Sequence, residues 1–246
     1  MMSRGRFAAA VACFAMLLAA LVSVTVTDAR AQDQRQNRPG KFDFYVLALS
    51  WSPSYCAAKS ERRSRSRRSD PQCGPRRYSF VVHGLWPQYE RGFPEYCQVP
   101  APRLNRNIVG SMLDLMPSPG LVFYEWDRHG VCSGLSARGY FDEVRKARAV
   151  VKIPEQYLDP TTMLSVTPDE IEEAFVKANA GLTRAGIAVR CDRRRLREVR
   201  ICLSRELRFQ DCPDVDRRAC RREHLTMPPV RGTNADLNGG AGRRQP

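Results

Sequence analysis

The sequence is poor in histidine and in lysine. Only three histidines occur in 246 residues, His83, His129 and His224, and the basic residues are nearly all arginine. No two cysteines stand in a C-x-x-C pair, and no histidine sits at zinc-ligand spacing from a cysteine, which argues against a structural zinc site. G-x-S-x-G is missing too, so the nucleophile elbow of a serine hydrolase is not present. No internal repeat and no clear domain boundary appear. Beyond the first thirty residues, no apolar run is long enough to span a bilayer.

What is present fits a globular chain. The hydrophobic share of 43% is that of a folded protein rather than a disordered one, and the length suits one large domain or two small ones. The opening "MMSRGRFAAAVACFAMLLAALVSVTVTDARAQ" has an arginine-bearing start, an apolar middle and "ARA" before Gln32. It reads as a secretory leader over residues 1–31, with the mature chain starting at Gln32. An uncleaved anchor is the alternative; the "ARA" favours cleavage. The ninth cysteine, Cys13, lies in this leader. Eight remain, an even number that predicts four disulfides in an exported chain, periplasmic or extracellular. The formal charge is +14, and losing Arg4, Arg6, Arg30 and Asp28 with the leader leaves +12. Such a charge draws polyanions, making nucleic acid a candidate partner.

Periodicity predicts a mixed domain. "KFDFYVLALSWSP" alternates and suggests a strand from about Phe42 to Ser50; "RRYSFVVHG" suggests a second. Between them, Arg62, Arg63, Arg65, Arg67 and Arg68 lie among serines in a segment without period, read as an exposed loop, either a phosphate-gripping arm or a solvated insertion. After Gly84 the proline- and aromatic-rich "LWPQYERGFPEYCQVPAPR" reads as loop. Helical spacing follows over "LNRNIVGSMLDLM", "LVFYEWDRHGVCSG" and "ARGYFDEVRKARAVV". "TPDEIEEAFVKANAGL" carries Thr167 as N-cap, Pro168 at the first helical position and Glu170 as capping-box partner. "GIAVRC" and "LREVRICLS" suggest paired strands, and residues 227–246 read as a disordered tail. The expectation is a single α+β domain over 32–226, a central antiparallel sheet packed with several helices and linked by disulfides.

Two segments carry possible chemistry. In "YSFVVHGLWPQY", His83 closes an apolar strand; in "YEWDRHG", Glu125 and His129 are four apart, so a helix puts both on one face with Arg128 beside them. Two imidazoles supply an acid and a base near neutrality, and a guanidinium offers donors to a phosphoryl oxygen. The set suits proton-relayed phosphoryl transfer without a metal, as on RNA, whose 2′-hydroxyl is its own nucleophile. The same spacing also fits a surface ion pair, and a strand-closing histidine also fits a structural role. A His–Glu–His metal site, and with it a metal-dependent phosphodiesterase, stays open. His224 has no such surroundings and reads as an ordinary surface residue.

"FVVHGLWPQ" followed by "YEWDRHGVC" resembles the two active-site segments of the ribonuclease T2 family, and "YVLALSWSPSYC" is similar to that family's first strand. The resemblance covers about Phe42 to Cys220. It implies a general-acid role for His83, a general-base role for His129, transition-state stabilisation by Glu125, and a base-binding aromatic in Trp86. Arg128 stands where the family commonly has lysine, keeping the charge but changing its shape; retained activity is expected. Gln88 stands where some members carry an acidic residue linked to base choice. Val131 replaces a usual threonine. The resemblance also implies disulfides Cys56–Cys73, Cys97–Cys132, Cys191–Cys220 and Cys202–Cys212. The implied protein is an exported endoribonuclease that cleaves single-stranded RNA through a 2′,3′-cyclic phosphate. It needs no metal or cofactor, no membrane after leader cleavage and no obligate protein partner, and acts as a monomer. A secreted RNA-binding module of the same fold without catalysis is the competing class. Gly84 is expected to let the chain turn close to substrate.

Overall fold

The computed structural model describes residues 37–61 and 70–230. The leader, the arginine run Arg62–Arg68 and the tail from 231 onwards lie outside the described residues. Four strands form an antiparallel sheet: β1 (Phe44–Trp51), β2 (Phe80–Gln88), β4 (Ile187–Cys191) and β5 (Leu196–Leu203), in the order β2-β1-β5-β4. Among the described residues six helices accompany it: α1 (Ser52–Glu61), α2 (Arg106–Ser111), α3 (Pro119–Arg128), α4 (Ala137–Val150), α5 (Pro168–Ala178) and α6 (Pro213–Asp216). Strands β3 (Leu164–Val166) and β6 (Leu225–Met227) pair separately. The fold is the expected α+β arrangement.

Strand alternation divides the sheet into two faces. Tyr45, Leu47, Leu49 and Trp51 of β1 join the main core, which includes Tyr140, Phe141, Val144 and Ala147, the buried stripe of α4. Phe44, Val46 and Ala48 point the other way, into a smaller cluster with Trp86, Ala188, Cys202, Cys212 and Val215. That second face carries the cleft described below. Helix α5 starts as expected: Thr167 Oγ1 accepts from Glu170 N at 3.0 Å, and Glu170 Oε2 accepts from Thr167 N at 2.7 Å.

Several boundaries depart from the sequence expectations. Helix α1, which the periodicity did not suggest, begins directly after β1 and carries Cys56. Residues 104–116 are helical only over Arg106–Ser111. Strand β2 does not end at Gly84 but runs on to Gln88, with Pro87 opposite Tyr45. Proline fits there because β2 is an edge strand, where a missing N–H breaks no ladder. Residues 227–230, grouped with the tail by composition, are ordered: Met227 belongs to β6, and Val230 N donates to Pro160 O at 2.8 Å. The four disulfides join Cys56–Cys73, Cys97–Cys132, Cys191–Cys220 and Cys202–Cys212, the pairing that the resemblance implies.

Candidate active site

His83 owes its direction to a β-bulge. Leu49 pairs with Val82 and Ala48 with Gly84, which leaves His83 as the extra residue on β2. Val82 and Leu85, three apart, therefore both face the main core. Beyond the bulge, Gly84, Trp86 and Gln88 alternate onto the cleft face. His83 Nδ1 lies 2.9 Å from Glu198 Oε2 on β5, and Nε2 lies 3.6 Å from Glu125 Oε1. Glu198 is itself held by Arg200, whose Nε and Nη2 stand 2.7 and 2.6 Å from Oε1.

Glu125 and His129 come from α3, and the helix does bring both to the cleft. Glu125 is fully buried, with Oε2 accepting from Trp86 Nε1 at 2.7 Å. Gly84 makes room for it. A Cβ at that position would fall 2.0 Å from Glu125 Oε2 and 2.5 Å from Trp86 Nε1. The glycine thus serves a close approach of side chains, not a turn of the chain. His129 caps the C-terminus of α3, packed against Trp86 with ring centroids 5.3 Å apart. Its Nδ1 is buried without a partner among the described residues, so Nε2 is the ring nitrogen left to face the cleft.

The loop between β2 and α2 is stitched to this helix. Cys97 is bonded to Cys132, Tyr96 N donates to Arg128 O at 2.8 Å, and Trp126 Nε1 donates to Pro102 O at 2.7 Å. Arg128 lines the cleft with its guanidinium shared between Glu95 at 2.8 Å and the Tyr124 hydroxyl. The resulting cleft, about 220 Å³, brings together His83, Trp86, Gln88, Glu125, Arg128 and His129. Phe93, Tyr124, Arg200, Asp214 and Arg218 also line it, over an apolar floor of Val46 and Val215. His224 is exposed and apart from it.

Trp86 is only 8% exposed, with Arg200 4.8 Å over its ring and both imidazoles beside it. Little of it is free for a base. Phe93 and Tyr124 are the exposed rings of the cleft. Glu198 and Arg200 escaped the sequence reading. Their signal was the alternation in "LREVRICLS", which puts Glu198, Arg200 and Cys202 on one face.

The two imidazoles sit in opposite electrostatic settings. At His83, burial works against the charged ring, but the Glu198 hydrogen bond and the charges of Glu125 and Glu198 outweigh it and raise the pKa. At His129, burial is reinforced by the positive Arg128, His83 and Arg200, and the pKa falls to about 3. Glu125 is pushed up to about 7 by burial, against the pull of His83 and the Trp86 hydrogen bond. Burial also opposes the charge of Glu198, yet bonds from His83 and Arg200 hold its pKa at about 2. Among the described residues, no group of three or more His, Cys, Asp or Glu is arranged to hold a metal ion.

The chain is 35% identical over 177 residues to a ribonuclease of Aeromonas hydrophila, covering 70% of this chain and 77% of that protein. It is 25% identical over 201 residues to ribonuclease I of Escherichia coli, covering 67% and 74%. Among solved structures, an RNase-related protein from Calystegia sepium shares the fold at TM-score 0.62 and 21% identity, covering 77% of this chain and 98% of that one. RNase NT in complex with 5′-AMP matches at TM-score 0.58 and 26% identity, covering 76% and 98%. The sequence profile of the Ribonuclease T2 family matches residues 42–212, and the chain belongs to that family.

Proposed function

We propose that the protein is an endoribonuclease cleaving single-stranded RNA by transphosphorylation, with His129 as general base and His83 as general acid. The observation that carries the reading is the convergence of the two imidazoles on one cleft in opposite electrostatic settings. A neutral His129 takes the 2′-hydroxyl proton on Nε2. The 2′-oxygen attacks the adjacent phosphorus, and protonated His83 gives its Nε2 proton to the departing 5′-oxygen. The products are a 2′,3′-cyclic phosphate and a free 5′-hydroxyl. Hydrolysis of the cyclic ester runs the same relay in reverse, with water in place of the 5′-hydroxyl. Glu125, near its midpoint at neutral pH, hydrogen-bonds to a phosphoryl oxygen, and Arg128 supplies fixed positive charge. Glu198 acts through His83, fixing its ring and its proton.

Trp86 holds the Glu125 carboxylate, while the exposed Phe93 and Tyr124 offer stacking surfaces to flanking bases, with Gln88 at the wall of the cleft. Similarity to RNase NT, whose structure holds 5′-AMP, supports a nucleotide seat here. Four disulfides and the leader-like N-terminus support export to periplasm or medium.

The test is RNA cleavage by mature protein in excess EDTA, beside His83→Ala and His129→Ala, with product termini read by mass spectrometry. Cyclic phosphate formed despite chelator, and lost in both folded variants, is the expected result. Chelator-sensitive cleavage would point to a metal-dependent phosphodiesterase. RNA binding without cleavage by folded wild type would return the protein to the binding-module class.

A further inference from the structure

A second basic surface adjoins the cleft. Arg190 at the end of β4 and Arg193 in the β4–β5 turn face Arg218, Arg221 and Arg222 across a depression of about 380 Å³. The two sides are pinned together. Cys191 is bonded to Cys220, Cys220 N donates to Val189 O at 2.7 Å, and the Arg190 guanidinium donates to the Arg218 carbonyl. The surface is therefore a braced shelf rather than a loose run of charge.

Little of its charge is neutralised locally: of its five arginines, Arg218 alone pairs with a carboxylate among the described residues, Asp214 at 2.9 Å. Among the described residues the one carboxylate lining the shelf, Asp192, accepts from Arg194 N at 2.8 Å and Arg195 N at 2.7 Å, and pairs with the Arg195 side chain. Arg193, Arg221 and Arg222 are exposed and form no ion pair among the described residues. Elsewhere Arg128, Arg145, Arg184, Arg195 and Arg200 each pair with a carboxylate. Arg190 feels the crowding: burial first, then the charge of Arg200 and Arg218, lower its pKa despite Glu198.

The shelf is continuous with the cleft. Arg218 lines both depressions. Arg190 and Arg200 are diagonal neighbours on one face of the sheet, since Arg190 pairs with Glu198 and Ala188 with Arg200. Positive charge thus runs from His83 through Arg200 and Arg190 to Arg221 and Arg222.

We infer that this shelf is a distal phosphate-binding subsite for single-stranded RNA leaving the cleft, so that the protein prefers chains of several nucleotides to dinucleotides. The inference rests on the ribonuclease reading for the identity of its ligand. Base stacking is not required there; arginine forks grip backbone phosphates irrespective of sequence.

The experiment uses an uncleavable ligand, so that binding is read apart from catalysis. A fluorescent 2′-O-methylated oligoribonucleotide of about 12 residues, within the ~4–16 nucleotide range of single-strand sites, is compared with a 2′-O-methylated dinucleotide by anisotropy. The proteins are wild type, the triple variant Arg193→Ser/Arg221→Ser/Arg222→Ser, and an equal charge change elsewhere, Arg103→Ser/Arg106→Ser/Arg138→Ser. The shelf variant is expected to bind the longer ligand roughly tenfold more weakly at low salt. Its salt slope should flatten by about 2, from ~0.7 per lost phosphate contact on a single strand. The dinucleotide should not discriminate the proteins, and the control triple should follow wild type. Equal affinities of shelf variant and wild type for the longer ligand would overturn the inference. So would equal losses in both triples, an equal loss on the dinucleotide, or a wild type that binds no oligonucleotide. A wild type that shows the shelf effect but leaves unmodified RNA intact would sink the catalytic reading and leave the subsite standing.

Discussion

Replacing Glu198 by glutamine tests the acid assignment of His83 without touching either active-site segment. Glutamine keeps the shape of the side chain and can still accept from His83 Nδ1, now 2.9 Å from Oε2, but it carries no charge. Passing from a charge-assisted to a neutral hydrogen bond removes about 1–1.5 kcal/mol of support for the imidazolium. Arg200, left without its countercharge, adds repulsion to the same ring. His83 is 34% exposed, so solvent screens part of that repulsion. At 1.36 kcal/mol per factor of ten, the protonated fraction of His83 above its midpoint falls roughly tenfold.

The sign follows from the role. A general acid works while protonated, so kcat/KM falls as pH rises through the His83 pKa, and Glu198→Gln moves that fall to lower pH. The assay is kcat/KM on a short RNA from about pH 4 to 9, with the His83 imidazole titrated by NMR in parallel. In acid, where the variant's His83 is again protonated, activity should return toward wild type. A flat loss at every pH would mean that Glu198 only holds geometry. An unmoved basic limb together with an unmoved imidazole midpoint would refute the electrostatic argument.

Two further substitutions follow from the buried carboxylate. Burial raises the Glu125 pKa from 4.5 to about 7, so its contribution to stability is full below 4.5 and is lost as pH rises towards 7. Glu125→Gln, which can still accept from Trp86, should abolish most cleavage yet gain stability over wild type at pH 8 by up to about 3 kcal/mol. Thermal denaturation at acid and alkaline pH checks this, and a variant–wild-type difference that does not grow with pH would contradict it. Gly84→Ala puts a methyl 2.0 Å from Glu125 Oε2, so the carboxylate or the strand must shift. The expected cost is about 1–3 kcal/mol of stability and a fall in kcat greater than any change in KM, measured by chemical denaturation and steady-state kinetics. Wild-type kcat in that variant would show that Glu125 has freedom the packing denies it.

Much of the fold was legible because it rests on local rules. The capping box at Thr167, the stripe of α4 and the four-residue spacing of Glu125 and His129 are each dictated within one or two turns. What escaped depends on pairing. The bulge at His83 exists only in the register of β2 against β1, which no property of "FVVHGLW" states. Pro87 made residues after Gly84 read as loop, because the sequence does not reveal that β2 lies at a sheet edge. The alternation of "LREVRICLS" and its pairing with "GIAVRC" were visible, but its second partner, β1, was not. Glu198 meets His83 only because the strand order places β1 alone between β5 and β2, with Ala48 as a small residue between Gly84 and Arg200. Strands β3 and β6, three residues each, are too short to announce a period.

This bears on how one cleft keeps two like groups in different protonation states. His129 stands at the C-terminus of α3, where the helix dipole favours a cation by about 0.3–1 kcal/mol. A pKa lowered from 6.5 to about 3 opposes that with roughly 4–5 kcal/mol, at 1.36 kcal/mol per unit. Burial and three neighbouring positive charges therefore decide the state of His129, and the dipole does not. His83 meets burial and Arg200 as well, yet its pKa moves the other way. The difference between the two rings is the pair of carboxylates at His83, and of these Glu198 makes the shorter contact. On the proposed mechanism, then, the histidines that do the chemistry lie in the two recognisable segments, while the division of labour between acid and base is set from β5, by a residue neither segment contains.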